Sequence, residues 1–102
     1  MKYKVVVSAE VVSQILSASA YYEGIRDGLG AEFEQKVDDR FTSLARFPAL
    51  YPKEFADIRR AYLKRYKQVV FYIVRGDSVV VLEVRDARRE PPDWNERGFQ
   101  DN

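Results

Sequence analysis

The chain has 102 residues, carries a net charge of +1 and contains neither cysteine nor histidine. That length fits one domain with one modest core, and 46% hydrophobic with 14% aromatic residues is too apolar a mixture for a disordered segment. Missing cysteine excludes disulfides, thiol nucleophiles and Cys-type zinc sites, and missing histidine removes the commonest acid–base group and metal ligand, so no metal or cofactor is expected.

In chain order, Met1-Lys-Tyr-Lys-Val turns polar too quickly for a signal peptide, and nothing later is apolar for long enough to span a bilayer. The expectation is a cytoplasmic protein with no membrane partner. Tyr3 to Val7 reads as a short strand. Ser8 is a suitable N-cap, with Glu10 in the first turn placed against the helix dipole. Val11, Ile15, Ala18, Tyr22 and Ile25 then recur at helical spacing, widened by Val12 and Leu16. This predicts a helix over 9–26, broken by Gly28-Leu29-Gly30. A second helix is predicted over 31–47, with Phe33, Val37, Phe41 and Leu44 as its core stripe and Glu32–Lys36 as a supporting i,i+4 pair. Joined so closely, the two helices should pack antiparallel. Pro48 and Pro52 end the second helix and make Phe47 to Pro52 a loop. Ile58 to Leu63 is a further strand, and Lys64-Arg65 turns the chain back toward a long apolar run.

The densest signal is Tyr66 to Arg89, where two β-branched and aromatic runs flank Gly76-Asp77. That spacing predicts a tight hairpin, with Gly76 supplying the positive φ that the first position of a type II′ turn requires. If Arg75 pairs with Ser78, Ile73–Val80, Phe71–Leu82 and Val69–Val84 share one wholly apolar face. The other face carries Val74–Val79, Tyr72–Val81, Val70–Glu83 and Gln68–Arg85. The dry face is expected under the helices and the mixed face is expected to be the working surface. After Arg89, Pro91-Pro92 ends the sheet, and Asp93 to Arg97 can form one helical turn. The pattern is a two-layer α+β fold, β-α-α-β-β-β, with a helical hairpin on one face of an antiparallel sheet; the whole chain, 1–102, reads as one domain with 86–102 as its tail.

Charge is distributed unevenly. Acids gather between Glu32 and Asp39, whereas Arg59, Arg60, Lys64, Arg65, Lys67, Arg75, Arg85, Arg88 and Arg89 crowd the C-terminal half. Such runs are often simply solvated surface. Tyr66 and Tyr72 read first as packing residues, Trp94 as an anchor for the tail, and Glu83 as a residue of the wet face.

The element order, with Ala20-Tyr21-Tyr22, Phe47-Pro-Ala-Leu-Tyr-Pro52, Ile58-Arg59-Arg60, Leu63-Lys-Arg-Tyr66 and the hairpin running into Val84-Arg-Asp-Ala-Arg-Arg-Glu-Pro91 and Trp94-Asn-Glu-Arg97, resembles the RelE/ParE superfamily of toxins from bacterial type II toxin–antitoxin systems. The resemblance covers nearly the whole chain. It implies the first strand beside the last and two helices on one face. It also implies a cognate antitoxin, growth inhibition, plasmid stabilisation as a setting, and a toxin–antitoxin hetero-oligomer.

The superfamily divides between gyrase poisons of the ParE kind and ribosome-dependent mRNA endonucleases of the RelE kind. Cutting RNA by its own 2′-hydroxyl needs a base, an acid and cations for the developing charge. The nuclease branch supplies these with clustered cations and a Tyr or His after the last strand. Here no Tyr follows Tyr72, there is no His, and Val69-Val70-Phe71 holds no basic residue. Arginine stabilises charge but gives up a proton poorly. The expectation is therefore a gyrase inhibitor whose contacts with DNA gyrase are Arg59, Arg60, Arg65, Arg85, Arg88 and Arg89, with Trp94 as apolar anchor, and whose antitoxin contacts include Tyr21 and Trp94. The alternatives are an mRNA endonuclease acting on ribosome-bound mRNA through Arg60, Lys64, Glu83, Arg85 and Arg88, and a non-toxic module that keeps only the antitoxin groove.

Overall fold

The computed structural model describes residues 2–100. Its elements are β1 (Lys4–Val7), α1 (Ala9–Ile25), α2 (Leu29–Arg46), β2 (Lys53–Phe55), β3 (Ile58–Leu63), a 3-10 turn (Lys64–Tyr66), β4 (Gln68–Arg75) and β5 (Ser78–Asp86). The sheet order is β1-β5-β4-β3-β2. The first strand does lie beside the last, but the two run parallel, so the sheet is mixed rather than antiparallel. No hairpin ties the direction of β1 to that of β5, which leaves parallel pairing open to them. The short strand β2, paired with β3, extends the expected pattern by one element.

Ser8 caps α1 as expected, its hydroxyl accepting from the Val11 N–H at 3.2 Å. Val11 and Tyr22 of α1 and Phe33, Val37 and Leu44 of α2 enter the core. Ile25 does not: at 60% exposed it leaves the stripe, and Val12 and Leu16 also stay outside. The helices approach closely where Gly30 meets α1, since a Cβ there would stand 2.8 Å from the Ser19 carbonyl oxygen. Glu32 pairs with Arg26, at 2.6 Å, in place of Lys36.

The hairpin turns at Gly76 with φ +59°, Asp77 is not among the positive-φ residues, and Arg75 faces Ser78. From there to Tyr72–Val81 the register is the expected one. A bulge then intervenes, with Leu82 as its extra residue, so that Phe71 faces Glu83, Val70 faces Val84, Val69 faces Arg85 and Gln68 faces Asp86. The expected pairs Phe71–Leu82, Val70–Glu83, Val69–Val84 and Gln68–Arg85 each slip by one. Parity flips with them. Val84 turns to the helix side and Glu83 to the opposite side.

The helices also cover the other face of the sheet from the one expected. Val70, Tyr72, Val79, Val81 and Val84, with Ala61 and Leu63 of β3, pack against α1 and α2. Val69, Phe71 and Ile73 join Ile58 in a second cluster closed by Trp94. Two polar residues on the helix side have their polar ends bonded: the Tyr72 hydroxyl donates to the Pro48 carbonyl at 2.5 Å, and Gln68 Nε2 donates to the Tyr22 hydroxyl at 3.3 Å. Tyr22 in turn donates to the Tyr66 carbonyl. No helix among the described residues is long and apolar enough to cross a membrane.

Candidate functional site

The sheet face left free by the helices is capped by the C-terminal segment. Pro91-Pro92 cannot extend β5, and Asp93 starts one helical turn in which the Phe99 N–H reaches the Trp94 carbonyl at 2.9 Å. Trp94, expected to leave part of its ring open, is only 4% exposed. Its ring stands edge-on to Phe71, and Phe99 closes over it. Arg97 lies with its guanidinium carbon 5.1 Å from the centre of the Trp94 ring. It donates to Glu83 Oε1 at 2.8 Å and to the Leu82 carbonyl at 3.2 Å, the carbonyl of the bulge residue. Arg85 Nε holds the second Glu83 oxygen at 3.0 Å. Glu83 is thus a buried carboxylate with both oxygens taken by guanidinium groups.

The other expected cations divide into tethered and open ones. Arg59 faces the helix layer and ties the 47–52 loop through the Tyr51 carbonyl at 2.7 Å. Arg60, on the tail side, donates to the Lys53 carbonyl at 3.2 Å and pairs with Glu54 at 3.3 Å. Arg88 is bound to Asp86 at 2.6 Å, and the Arg88 guanidinium and backbone N–H hold the Asp86 carboxyl well below the usual carboxylate range. Lys64, Arg65 and Arg89 make no ion pair among the described residues. Arg89 lines an open cleft of about 480 Å³ between α1 and the end of β5, shared with Glu10, Gln14, Gln68 and Asp86. The strand edge there is unpaired past Val81, because β1 ends at Val7. Gln14 covers one donor of that edge, accepting from the Val84 N–H at 2.8 Å.

Tyr21 is 64% exposed on α1, on the helix layer, so it and Trp94 lie on opposite faces of the sheet and share no site. Near the helices a groove of about 260 Å³ runs between Val12, Ile15 and Leu16 of α1 and Val37 and Phe41 of α2, rimmed by Glu34 and Asp38. Sequence reasoning missed Arg97, whose spacing from Glu83 gives no local signal. It also missed Tyr62, which faces the tail side, 41% exposed, with Arg60 5.8 Å from its ring centre. Alternation along β3 from Arg60 could have found it.

A model of one protein family, described as ParE toxin of type II toxin-antitoxin system, parDE, matches residues 5–91. A search of curated proteins finds no match.

Proposed function

Because the chain belongs to the ParE toxin family of type II toxin–antitoxin systems, we propose that it acts by docking onto DNA gyrase and is neutralised by a cognate antitoxin that folds onto its helical layer. The observation that carries the first half is the state of Glu83. The carboxylate best placed among the cations is buried and accepts from Arg85 and Arg97 on its two oxygens, an arrangement that favours the charged form and suits a structural clasp better than a general base. The cations without an ion pair among the described residues are Lys64, Arg65 and Arg89, and the two arginines hold charge well and transfer protons poorly. Docking needs such contacts, and turnover needs more. The apolar groove and the unpaired edge of β5 suit an amphipathic helix and an added strand, the two common ways a disordered tail is captured.

Two assays on the purified protein test this, gyrase supercoiling and cleavage of ribosome-bound mRNA. Inhibited supercoiling, weakened by salt and by Arg89→Gln more than by Arg88→Gln, is the expected result, since Arg88 is already spent on Asp86. Codon-specific cleavage with untouched gyrase overturns the reading and promotes a nuclease, for which Tyr62 beside Arg60 is the phenol at hand. Silence in both assays, with antitoxin binding intact, identifies a non-toxic binding module. For the partner, calorimetry with the neighbouring gene product should show the strongly negative heat-capacity change of folding on binding.

A further inference from the structure

A third cavity, of about 200 Å³, opens where α2 passes the 3-10 turn, and four of its six lining residues are cationic: Lys36 and Arg40 from α2 and Lys64 and Arg65 from the turn, with Leu63 and Tyr66. None of the four cations makes an ion pair among the described residues. Arg40 is oriented from behind, donating to the Tyr51 hydroxyl at 2.7 Å and the Tyr62 carbonyl at 3.0 Å. Its Nε is buried and has no partner among the described residues. Tyr66 is 5% exposed and held edge-on to Tyr22 and Phe33, and its hydroxyl is likewise buried without a partner among the described residues. A buried donor left unbonded forfeits its hydration and gains nothing in return. Arg60 Nε and Trp94 Nε1 are orphaned elsewhere among the described residues, so what marks this cavity is two such donors on its lining residues together with four cations that have no ion pair.

We infer that this cavity binds a phosphate group. A tetrahedral phosphate offers more acceptor oxygens than a carboxylate, in directions that several of the four cations can reach at once, and the free ion carries up to about two negative charges. The donor set is a guanidinium tethered from behind, two ammonium groups, a second guanidinium over the Tyr66 ring at 5.5 Å, and a phenol. The phosphate can be free or part of a nucleic-acid backbone. The site lies on the helix side of the sheet and does not depend on how the toxin acts.

The test is a titration of the intact chain with inorganic phosphate at constant ionic strength, followed by amide and arginine side-chain NMR. Saturable shifts confined to Lys64, Arg65, Tyr66 and the Arg40 Nε–H are expected. Lys64→Gln with Arg65→Gln should weaken binding by about tenfold or more, and Tyr66→Phe, which removes only the hydroxyl, by roughly tenfold. A short single-stranded oligonucleotide that displaces phosphate identifies backbone phosphate as the source. One that leaves the phosphate shifts unchanged identifies the free ion. Equal shifts with chloride, or with acetate at matched ionic strength, overturn the proposal, the first as plain screening and the second as a carboxylate site. Unchanged phosphate affinity in both variants overturns it as well.

Discussion

Trp94 stands edge-on to Phe71, ring centres 5.2 Å apart and planes at 71°, and this one contact makes the tail part of the core. Phe71 is buried not by a helix but by a residue that comes after β5 in the chain. Replacing Trp94 with Ala should therefore cost roughly 3–5 kcal/mol and expose Phe71, Ile73 and Val69. Trp94 is the only tryptophan, so its fluorescence reports the tail directly. In the wild type it should be blue-shifted and poorly quenched. Emission like that of free indole would show the tail is not docked.

Arg97 should hold that tail through Glu83. Arg97→Gln removes the ion pair at 2.8 Å and leaves Glu83 buried with one partner instead of two. The stability loss should exceed that of Arg88→Gln, whose ion pair with Asp86 is at the surface, where such pairs contribute little. Chemical denaturation of the two variants side by side measures the difference. Equal losses would mean the Glu83 cluster is no better than a surface pair.

Gly30→Ala should destabilise the helix pair although alanine is the better helix former. The new Cβ meets the Ser19 carbonyl at 2.8 Å, a backbone atom that cannot swing aside, and overpacking of this kind typically costs about 1–3 kcal/mol. A melting temperature at or above that of wild type would show that α1 and α2 separate without penalty.

Tyr72 sets an alkaline limit. Burial pushes its phenol up to about 12, so in the folded state it keeps its proton where an exposed phenol, near 10, has lost it. A raised folded pKa means the contribution is intact below about pH 10 and is lost as pH climbs through the folded value. Stability should therefore fall between about pH 10 and about pH 12. Tyr22 shifts the same way, chiefly from burial. Tyr72→Phe should flatten part of that fall while losing the bond to Pro48. Denaturant midpoints measured across the alkaline range, alongside phenolate absorbance, decide it.

The local elements were legible in the residues because each rests on short-range physics. Ser8 caps α1, Pro48 stops α2, and Gly76 turns the hairpin at the expected pair Arg75–Ser78. The family resemblance survived too, since it depends on order and spacing. What alternation could not decide was which side of the sheet the helices take. Both sides are buried, one under α1 and α2 and one under Trp94 and Phe99, so a fully apolar face carries no preference between them. The bulge at Leu82 was invisible for a related reason: a single extra residue reverses parity for every later residue of the strand, and nothing local marks it. Only the tertiary structure could decide the rest, because Glu83 with Arg97, and Lys36 with Lys64, meet through the packing of distant segments rather than through any spacing along the chain.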